Sequence, residues 1–262
     1  MYDFSYSRAS SSDEAISKHG ASDDARYLAG GMTLIPVLKQ RLDQPSDVVD
    51  LGDLEDLRGI TEDSGAIVVK AMTTHHQVHS SELVKSRIPA LADLAGTIGD
   101  PMVRNRGTIG GSLANNDPAA SYPSAVLALN ATINTDKRSI PADEFFTGMF
   151  DTALEEGELI VAVSFPIPEQ AGYKHFPNPA SRYPIVGSFV AKTSDGVRVA
   201  ITGAGACAYR QTEFEEAWAD GNLDPDKIKD IKISDEGLNS DIHASAEYRA
   251  HLINVMTRRA IG

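Results

Sequence analysis

Two glycine-rich segments contain the residues whose types and spacing could bind a phosphate group. The first, residues 29–33, reads Ala-Gly-Gly-Met-Thr and precedes an apolar run. The second, residues 104–118, contains three glycines together with hydroxyl and amide side chains. Glycine permits a close backbone approach and a positive φ, and successive N–H groups can then form a concave anion site. Either segment alone could be a tight turn, but the two together favour a clamp on a pyrophosphate.

Regular elements beside both segments would position these groups. Arg26–Ala29 has the pattern of a strand and Leu34–Leu42 that of a helix, with Thr33 near the helix N-terminus. A strand, a glycine turn and a helix form a geometry that directs backbone N–H groups toward a phosphate. After the second segment, Pro123 and the Ala- and Leu-rich residues that follow it predict a buried helix over Tyr122–Leu129.

The same motifs resemble those of a known family. They are Ala-Gly-Gly-x-Thr at 29–33, Arg-Asn-Arg-Gly-Thr-Ile-Gly-Gly-Ser-Leu at 104–113 and Asp-Pro-Ala-Ala at 117–120. The chain is similar, over nearly its whole length, to the FAD-binding medium subunits of the molybdenum hydroxylases, which include aerobic carbon monoxide dehydrogenases and xanthine dehydrogenase relatives. The resemblance implies an α+β architecture. A two-lobed FAD-binding fold of the vanillyl-alcohol-oxidase (PCMH) type would be followed by a CO-dehydrogenase-flavoprotein-type C-terminal domain, an antiparallel sheet plus helices.

The resemblance also implies which residues hold the cofactor. The residues that would bind the FAD pyrophosphate are Ala29, Gly30, Gly31, Met32, Thr33, Leu34, Ile35, Thr108, Ile109, Gly110, Gly111 and Ser112. Asn115, Asp117 and Ser121 would lie along the ribitol and ribose. Ser121 stands where the family often has aspartate, so this chain has a hydroxyl in place of that carboxylate. Met32 replaces a commonly polar residue, and we expect the backbone contacts of its segment to be unaffected.

Three further positions are implied at the two ends of the cofactor. Ile160 and the segment around Lys174 would line the adenine or flavin ends, and Tyr183 would lie near the isoalloxazine ring. An aromatic side chain beside a flavin can tune the environment of the ring. The family often has Tyr-x-Lys-Phe where this chain has Tyr-Lys-His-Phe at 173–176, so either Lys174 or His175 could take the lysine role.

Composition excludes several classes of function. The chain has 262 residues and a formal net charge of −13, so binding to nucleic acid or to an anionic membrane is unfavourable. An anionic cofactor must therefore be held by local backbone dipoles. No apolar run approaches the roughly 20 residues that span a bilayer, and we expect neither a transmembrane segment nor a signal peptide. Cys207 is the single cysteine, so the chain alone holds no iron–sulfur cluster and no disulfide, which suits the cytoplasm.

Two other motifs have simpler explanations than ligand binding. His75 and His79 are four residues apart, but zinc needs further ligands, and a helix capped by Thr74 accounts for the pattern. Residues 203–208 match the dinucleotide fingerprint Gly-x-Gly-x-x-Ala, but the next predicted helix begins only at Thr212. The fingerprint requires a helix that opens at the glycines, so a turn at a sheet edge is favoured. We therefore predict no metal site.

Patterning divides the chain into three units: residues 1–53, 54–169 and 170–262. Alternation predicts antiparallel strands in the last unit, joined at Asp195–Gly196. Two helices are predicted from apolar periodicity: Leu83–Ile98, and a terminal helix over Ser245–Ile261 with an apolar face of Tyr248, Leu252, Val255 and Met256.

No catalytic constellation stands out near the glycine segments, so we predict no catalytic residue. The resemblance implies that a large molybdopterin subunit hydroxylates the substrate and that two 2Fe–2S clusters on a small iron–sulfur subunit pass electrons to FAD here, then to an external acceptor. Such complexes are usually dimers of heterotrimers. Two alternatives remain: a free-standing flavin-dependent oxidoreductase, and a non-catalytic nucleotide-binding assembly module. The lack of a candidate base counts against the first alternative, and the intact glycine segments count against the second.

Overall fold

The computed structural model describes residues 1–262, and its first unit is a small parallel sheet. The elements are β1 (Ser5–Arg8), α1 (Ser12–Gly20), β2 (Ala25–Leu28), α2 (Leu34–Lys39) and β3 (Asp47–Asp50). β3 lies in the centre and pairs in parallel with both β1 and β2. α1 begins where the Ser11 side chain accepts a hydrogen bond from the N–H of Glu14. β2 is an edge strand and ends at Leu28, so the first glycine segment leaves the sheet at that edge.

The second unit is a five-stranded antiparallel sheet with helices. Its strands are β4 (Ile60–Asp63), β5 (Ala66–Lys70), β6 (Thr132–Thr135), β7 (Ser139–Pro141) and β10 (Ile160–Pro166), in the order β4-β5-β10-β6-β7, beside the short pair β8 (Phe146–Gly148) and β9 (Asp151–Thr152). Its helices are α3 (His75–Ser80), α4 (Glu82–Arg87), α5 (Pro89–Thr97), α6 (Pro101–Arg106), α7 (Ile109–Asn115), α8 (Tyr122–Ala128) and α9 (Ala142–Phe145). A further turn of 3₁₀-helix covers Glu55–Leu57. The apolar faces of this sheet and its helices form the largest core of the protein.

One helix prediction in this unit was wrong in detail, and the second glycine segment contains helices that were not predicted. The helix predicted over Leu83–Ile98 is broken into α4 and α5, because Pro89 lacks an N–H and Ile88 before it adopts φ −138° and ψ 67°. The second glycine segment is also not a single loop. It consists of α6, a turn, and α7, which begins after Thr108, whose side chain accepts a hydrogen bond from the N–H of Gly111.

The third unit is the predicted antiparallel sheet with helices. Its elements are β11 (Gln170–Pro177), β12 (Pro184–Thr193), β13 (Gly196–Thr202), β14 (Tyr209–Arg210), α10 (Thr212–Ala217) and α11 (Ala246–Ile261), with a 3₁₀ turn at Pro225–Lys227. The strands pair in the order β11-β12-β13-β14. α11 covers one face of this sheet, and α5 and α8 cover the other. Tyr173 and Phe189 therefore belong to the same core as the second unit.

The buried face of α11 differs from the predicted one. Leu252 and Met256 are buried as expected, but Tyr248 is 41% exposed and Val255 is only half-buried. Arg249 and Ile253 take their places against the sheet. The reason is the spacing of the helix, which places Arg249 on the same face as Leu252 and Met256. The guanidinium of Arg249 can be buried there because it forms hydrogen bonds. No helix in the protein has the length and apolar composition needed to cross a membrane.

Candidate functional site

A cavity of about 470 Å³ lies where the three units meet, and most of the predicted site residues line it. The predicted residues in its wall are Ala29, Gly30, Gly31, Met32, Thr33, Leu34, Thr108, Gly110, Gly111, Ser112, Asn115, Asp117, Ser121, Ile160 and Tyr183. We call this cavity the cleft. It brings together segments that are far apart in the sequence, such as residues 29–34 and Tyr183.

Three predicted residues, Ile35, Ile109 and Lys174, do not line the cleft. Ile35 lies within α2, and Ile109 is fully buried in the core under α7. Lys174 is exposed and pairs across the sheet with Ser188, whose hydroxyl lies 2.8 Å from that of Thr257 on α11. Because alternate residues of a strand face opposite sides, Lys174 points to the α11 face, away from the cleft. His175, the other candidate, faces the opposite side but does not line the cleft either.

The two glycine segments are in direct backbone contact. A Cβ atom added to Gly30 would clash with the carbonyl oxygen of Arg106 and lie 2.9 Å from the Cα of Gly107. Only a residue without a side chain allows this approach. Gly31 has a φ of +74°, in the left-handed region that favours glycine. Both glycines of the first segment are therefore required by its geometry.

The first segment carries free hydrogen-bond donors. The backbone N–H groups of residues 30–34 have no acceptor in the protein, and these residues line the cleft. Gly30, Gly31 and Leu34 are half-buried, Met32 and Thr33 are exposed, and the last of these residues begin α2, so their N–H groups are available to an acceptor supplied by a ligand or by water. A pyrophosphate has such acceptor oxygens, and it suits the concave run of N–H groups. The residues present thus fit a dinucleotide.

The second segment does not supply a matching set of free donors, because its first N–H groups are paired within the protein. The N–H of Ile109 donates to Thr73 O at 3.1 Å, and that of Gly110 donates to Ala71 O at 2.9 Å. The N–H of Gly111 donates to the Thr108 hydroxyl at 3.2 Å. These bonds attach the start of α7 to the end of β5. The second segment therefore forms a wall beside the donors of the first.

Gly110 and Gly111 are needed for space and not for a positive φ. A Cβ at Gly110 would lie 2.7 Å from the Cβ of Ala71, inside the protein. A Cβ at Gly111 would lie 3.1 Å from the Thr108 hydroxyl and 3.5 Å from the Cβ of Ala29. Gly110 thus lets α7 pack against the end of β5, whereas a Cβ at Gly111 would crowd the Thr108 hydroxyl and reach Ala29 at an ordinary contact distance.

A residue that the sequence reasoning missed shapes the next part of the cleft. Asn116 ends α7 with a φ of +40°, and its side-chain amide donates to Gly148 O at 2.9 Å and to Asp151 O at 2.7 Å. Asparagine adopts this left-handed conformation more readily than most residues. The turn leaves Asn115 and Asp117 on either side of it, both in the cleft wall.

One end of the cleft lies against β10. Tyr27 lines it, and its hydroxyl donates to Gly157 O at 3.0 Å. Burial, followed by the charge of Asp136, raises the pKa of Tyr27 to about 12. The side chain of Glu158 is fully buried beside it and accepts hydrogen bonds from Arg138 at 3.0 Å, which lower its pKa to about 2. This end is apolar around Ile160, and its one buried carboxylate is already paired.

The turn between β11 and β12 lines another part of the cleft. Tyr183 is 40% exposed there, and burial, followed by the charge of Asp117, raises its pKa. Arg182 donates to Gly99 O at 3.3 Å and fastens the turn to the second unit. Phe150, 58% exposed with a φ of +55°, also lines the cleft. Sequence reasoning missed Arg182 and Phe150. The neighbouring Tyr183 was a signal for Arg182, and no local pattern marked Phe150.

The two histidines have structural roles. His75 is buried, stands 5.4 Å from the Tyr122 ring between centroids, and also lines the cleft. Burial, followed by the charge of Arg104, lowers the pKa of His75 to about 4. The Nδ1 atom of His79 lies 2.9 Å from Ala92 O. Thr74 caps α3 as predicted, in a full capping box with Gln77. No group of three or more potential metal ligands occurs in the protein.

The buried His75 predicts acid sensitivity. Its pKa falls from 6.5 in the unfolded chain to about 4 in the folded protein, so the unfolded state binds the proton first. The free energy of unfolding should therefore decrease as the pH falls from 6.5 to 4, by up to about 3 kcal/mol. Urea unfolding at pH 7 and pH 4.5 measures this. His75→Phe should reduce the difference in unfolding free energy between pH 7 and pH 4.5. His243→Phe changes an exposed histidine and should leave that difference as in the wild type. The same difference in both variants would contradict the role assigned to His75.

The other glycine motif is a turn, as predicted. Gly203 has a φ of +84°, and a Cβ there would lie 2.6 Å from Pro184 O and 2.7 Å from Ile185 O. The next helix, α10, begins only at Thr212. The motif therefore packs against β12 and opens no helix toward a ligand.

Comparisons with known proteins agree with this architecture. Residues 2–168 match the family described as the FAD binding domain in molybdopterin dehydrogenase, and residues 171–262 match the CO dehydrogenase flavoprotein C-terminal domain. The chain is 34% identical to the glyceraldehyde dehydrogenase medium chain of Sulfolobus acidocaldarius, over 98% of this chain and 97% of that one. It is 31% identical to the carbon monoxide dehydrogenase medium chain of Hydrogenophaga pseudoflava, over 98% and 96% of the two chains.

Solved structures give the same result. A chain of the reconstituted CO dehydrogenase from Oligotropha carboxidovorans superposes with a TM-score of 0.90 at 30% identity, covering 99% of this chain and 96% of that chain. Quinoline 2-oxidoreductase from Pseudomonas putida 86 gives a TM-score of 0.89 at 30% identity, with the same coverage.

Proposed function

The chain belongs to the FAD-binding medium subunits of the molybdenum hydroxylases, and from this membership we propose that it transfers electrons from iron–sulfur clusters on a partner subunit to an external acceptor. It is thus a component of an oxidoreductase. When bound, FAD supplies the redox chemistry, and the protein supplies binding, orientation and electrostatics. The main support for FAD binding is the run of unpaired N–H groups at residues 30–34. These residues line the cleft beside the second glycine segment.

We propose that the cleft residues hold FAD along its length. The N–H groups of residues 30–34 would bind the pyrophosphate, and the hydroxyl of Ser112 would add a contact from the second segment. Asn115 and Asp117 would bind the ribitol and ribose side. The wall of Tyr27 and Ile160 would take the adenine, which leaves the Tyr183 end for the isoalloxazine ring.

The proposed units divide this work. Residues 1–53 carry the N–H donors, and residues 54–169 carry the wall formed by α7 together with Asn115 and Asp117. Residues 170–262 contribute the turn with Arg182 and Tyr183. Because each of the three units supplies a different part of the cleft lining, the cofactor would bind only when all three are folded together.

We propose as partners a small iron–sulfur subunit with two 2Fe–2S clusters and a large molybdopterin subunit, in a dimer of heterotrimers. The relatives' designations as medium chains support a multi-subunit complex. Two ionisable groups of the cleft are poorly suited to acid–base catalysis: Glu158 is paired with Arg138, and burial lowers the pKa of His75 to about 4. This favours electron transfer over substrate-level acid–base chemistry in this chain. The thiol of Cys207 is free, and we place the complex in the cytoplasm.

The purified protein, alone or in its complex, should be yellow and should release FAD and not FMN on denaturation. The reason is that the lining of the cleft includes Tyr27, the N–H donors and Tyr183, from all three units, and a mononucleotide would contact only part of it. Chromatography of the supernatant after heat denaturation identifies the flavin. Recovery of FMN, or a colourless protein that FAD does not reconstitute, would contradict the proposed function.

A further inference from the structure

Arg249 on α11 is a buried charge that lies outside the cleft. It is 4% exposed, and its Nη1 atom donates to Ile185 O at 2.6 Å and to Gly203 O at 2.9 Å. Its Nη2 atom donates to the carboxylate of Asp241 at 2.7 Å. One guanidinium thus joins the start of β12, the end of β13 and the segment before α11.

The first carbonyl that Arg249 holds belongs to the Tyr183 end of the cleft. Ile185 follows Tyr183 and Pro184 directly, and both of those residues line the cleft. The Gly203 backbone packs against the same place, because a Cβ at Gly203 would lie 2.6 Å from Pro184 O. Arg249 therefore fixes the point at which the chain leaves the cleft and enters the sheet.

The second carbonyl leads to the opposite wall. Gly203, whose carbonyl Arg249 binds, donates its own N–H to Pro118 O at 2.8 Å. The hydroxyl of Thr202 donates to Ala120 O at 2.6 Å. Pro118 and Ala120 belong to the segment that places Asp117 and Ser121 in the cleft wall. Through two carbonyls, one side chain is thus connected to both walls of this end.

We propose that Arg249 is a positioning residue for the cofactor site, one that sets the distance between the Tyr183 wall and the Asp117 wall. This inference rests on the proposed function, since it concerns how tightly the cleft holds FAD. A buried charge is costly to desolvate, and an apolar side chain of similar length would pack at least as well against the sheet. Unlike an apolar side chain, the planar guanidinium has donors that can bind two carbonyls and a carboxylate at once. These hydrogen bonds explain why an arginine occupies the buried face of α11.

The test is the affinity of the full-length chain for FAD. Arg249→Met keeps the length of the side chain and removes every donor, and it should weaken FAD binding by about tenfold or more, since it deletes several charge-assisted hydrogen bonds. Arg249→Lys keeps the charge but has a single compact donor group that cannot replace the fork, so its affinity should lie between those of Arg249→Met and the wild type. Arg259→Met is the matched control on the same helix, at an exposed arginine that forms no ion pair.

Two measurements separate positioning from mere support of the fold. Circular dichroism and urea unfolding establish that each variant is folded at the assay temperature, and titration with FAD gives the dissociation constant together with the visible flavin spectrum. A weaker affinity and an altered spectrum in folded Arg249→Met, or in Arg249→Lys if the methionine variant does not fold, support the proposal. Wild-type FAD affinity and spectrum in either folded variant would overturn it. A wild-type chain that takes up no FAD would instead overturn the proposed function.

Discussion

Gly30→Ala should weaken FAD binding by roughly tenfold to 100-fold, although it adds a single methyl group. The added carbon would clash with Arg106 O and lie 2.9 Å from Gly107 Cα, so the two glycine segments must separate. Neither atom can move aside as a flexible side chain would, because both belong to backbone held at the end of α6. Overpacking of this kind costs about 1–3 kcal/mol, which corresponds to that loss of affinity if it falls on the cofactor-bound geometry.

The matched control for this change is Gly20→Ala. A Cβ at Gly20 would meet nothing within 4 Å, and this residue lies at the end of α1, outside the cleft. Its FAD affinity should equal that of the wild type. Fluorescence titration of both apoproteins with FAD, combined with thermal unfolding, distinguishes a damaged cleft from a damaged fold. Wild-type affinity in Gly30→Ala would show that the contact between the two segments does not define the site.

The isolated chain should bind FAD but turn over no hydroxylase substrate, whereas the complex with its partners should reduce an acceptor dye. The physical reason is that Glu158, the buried carboxylate of the cleft, is paired with Arg138, and burial lowers the pKa of His75 to about 4, so neither is poised to act on a substrate. Under the proposed function, the flavin exchanges electrons with another redox centre through an interface. The measurement compares the isolated chain and the co-purified complex, with one dye and a panel of aldehydes, purines, N-heterocycles and carbon monoxide.

The partner experiment has an internal control. Chemically reduced partner subunits should bleach the flavin of the isolated chain when the proteins are mixed, and oxidised partner subunits should not. Bleaching shows that the chain accepts electrons even though it does not act on substrates alone. Substrate-dependent turnover by the isolated chain at the rate of the complex would instead identify a free-standing flavin-dependent oxidoreductase.

Local sequence determined the elements around the site. The strand before residue 29, the helix after Thr33, the cap at Thr74 and the antiparallel strands around Gly196 were all predicted, because propensity, capping and alternation act over a few residues. The glycine motifs also led to the family, which the comparisons confirmed. The sequence even contained Pro89, the residue that breaks the helix predicted over Leu83–Ile98.

Tertiary structure decided which of these groups are available to a ligand. The N–H groups of Ile109 and Gly110 looked equivalent to those of residues 30–34 in sequence, yet they donate to Thr73 and Ala71, whereas the first segment meets no acceptor. Local patterns do not specify such distant partners. Strand register likewise placed Lys174 on the α11 face of the sheet, away from the cleft.

The cleft itself is a product of long-range packing. Phe150 and Arg182 reach it because separate units fold against one another, and Arg249 is connected to it only through carbonyls of β12 and β13. The sequence alone therefore determined the glycine motifs and the family. The contacts that pair the N–H groups of Ile109 and Gly110, and those that join Arg249 to the cleft walls, exist only in the folded chain, because they join residues far apart along it.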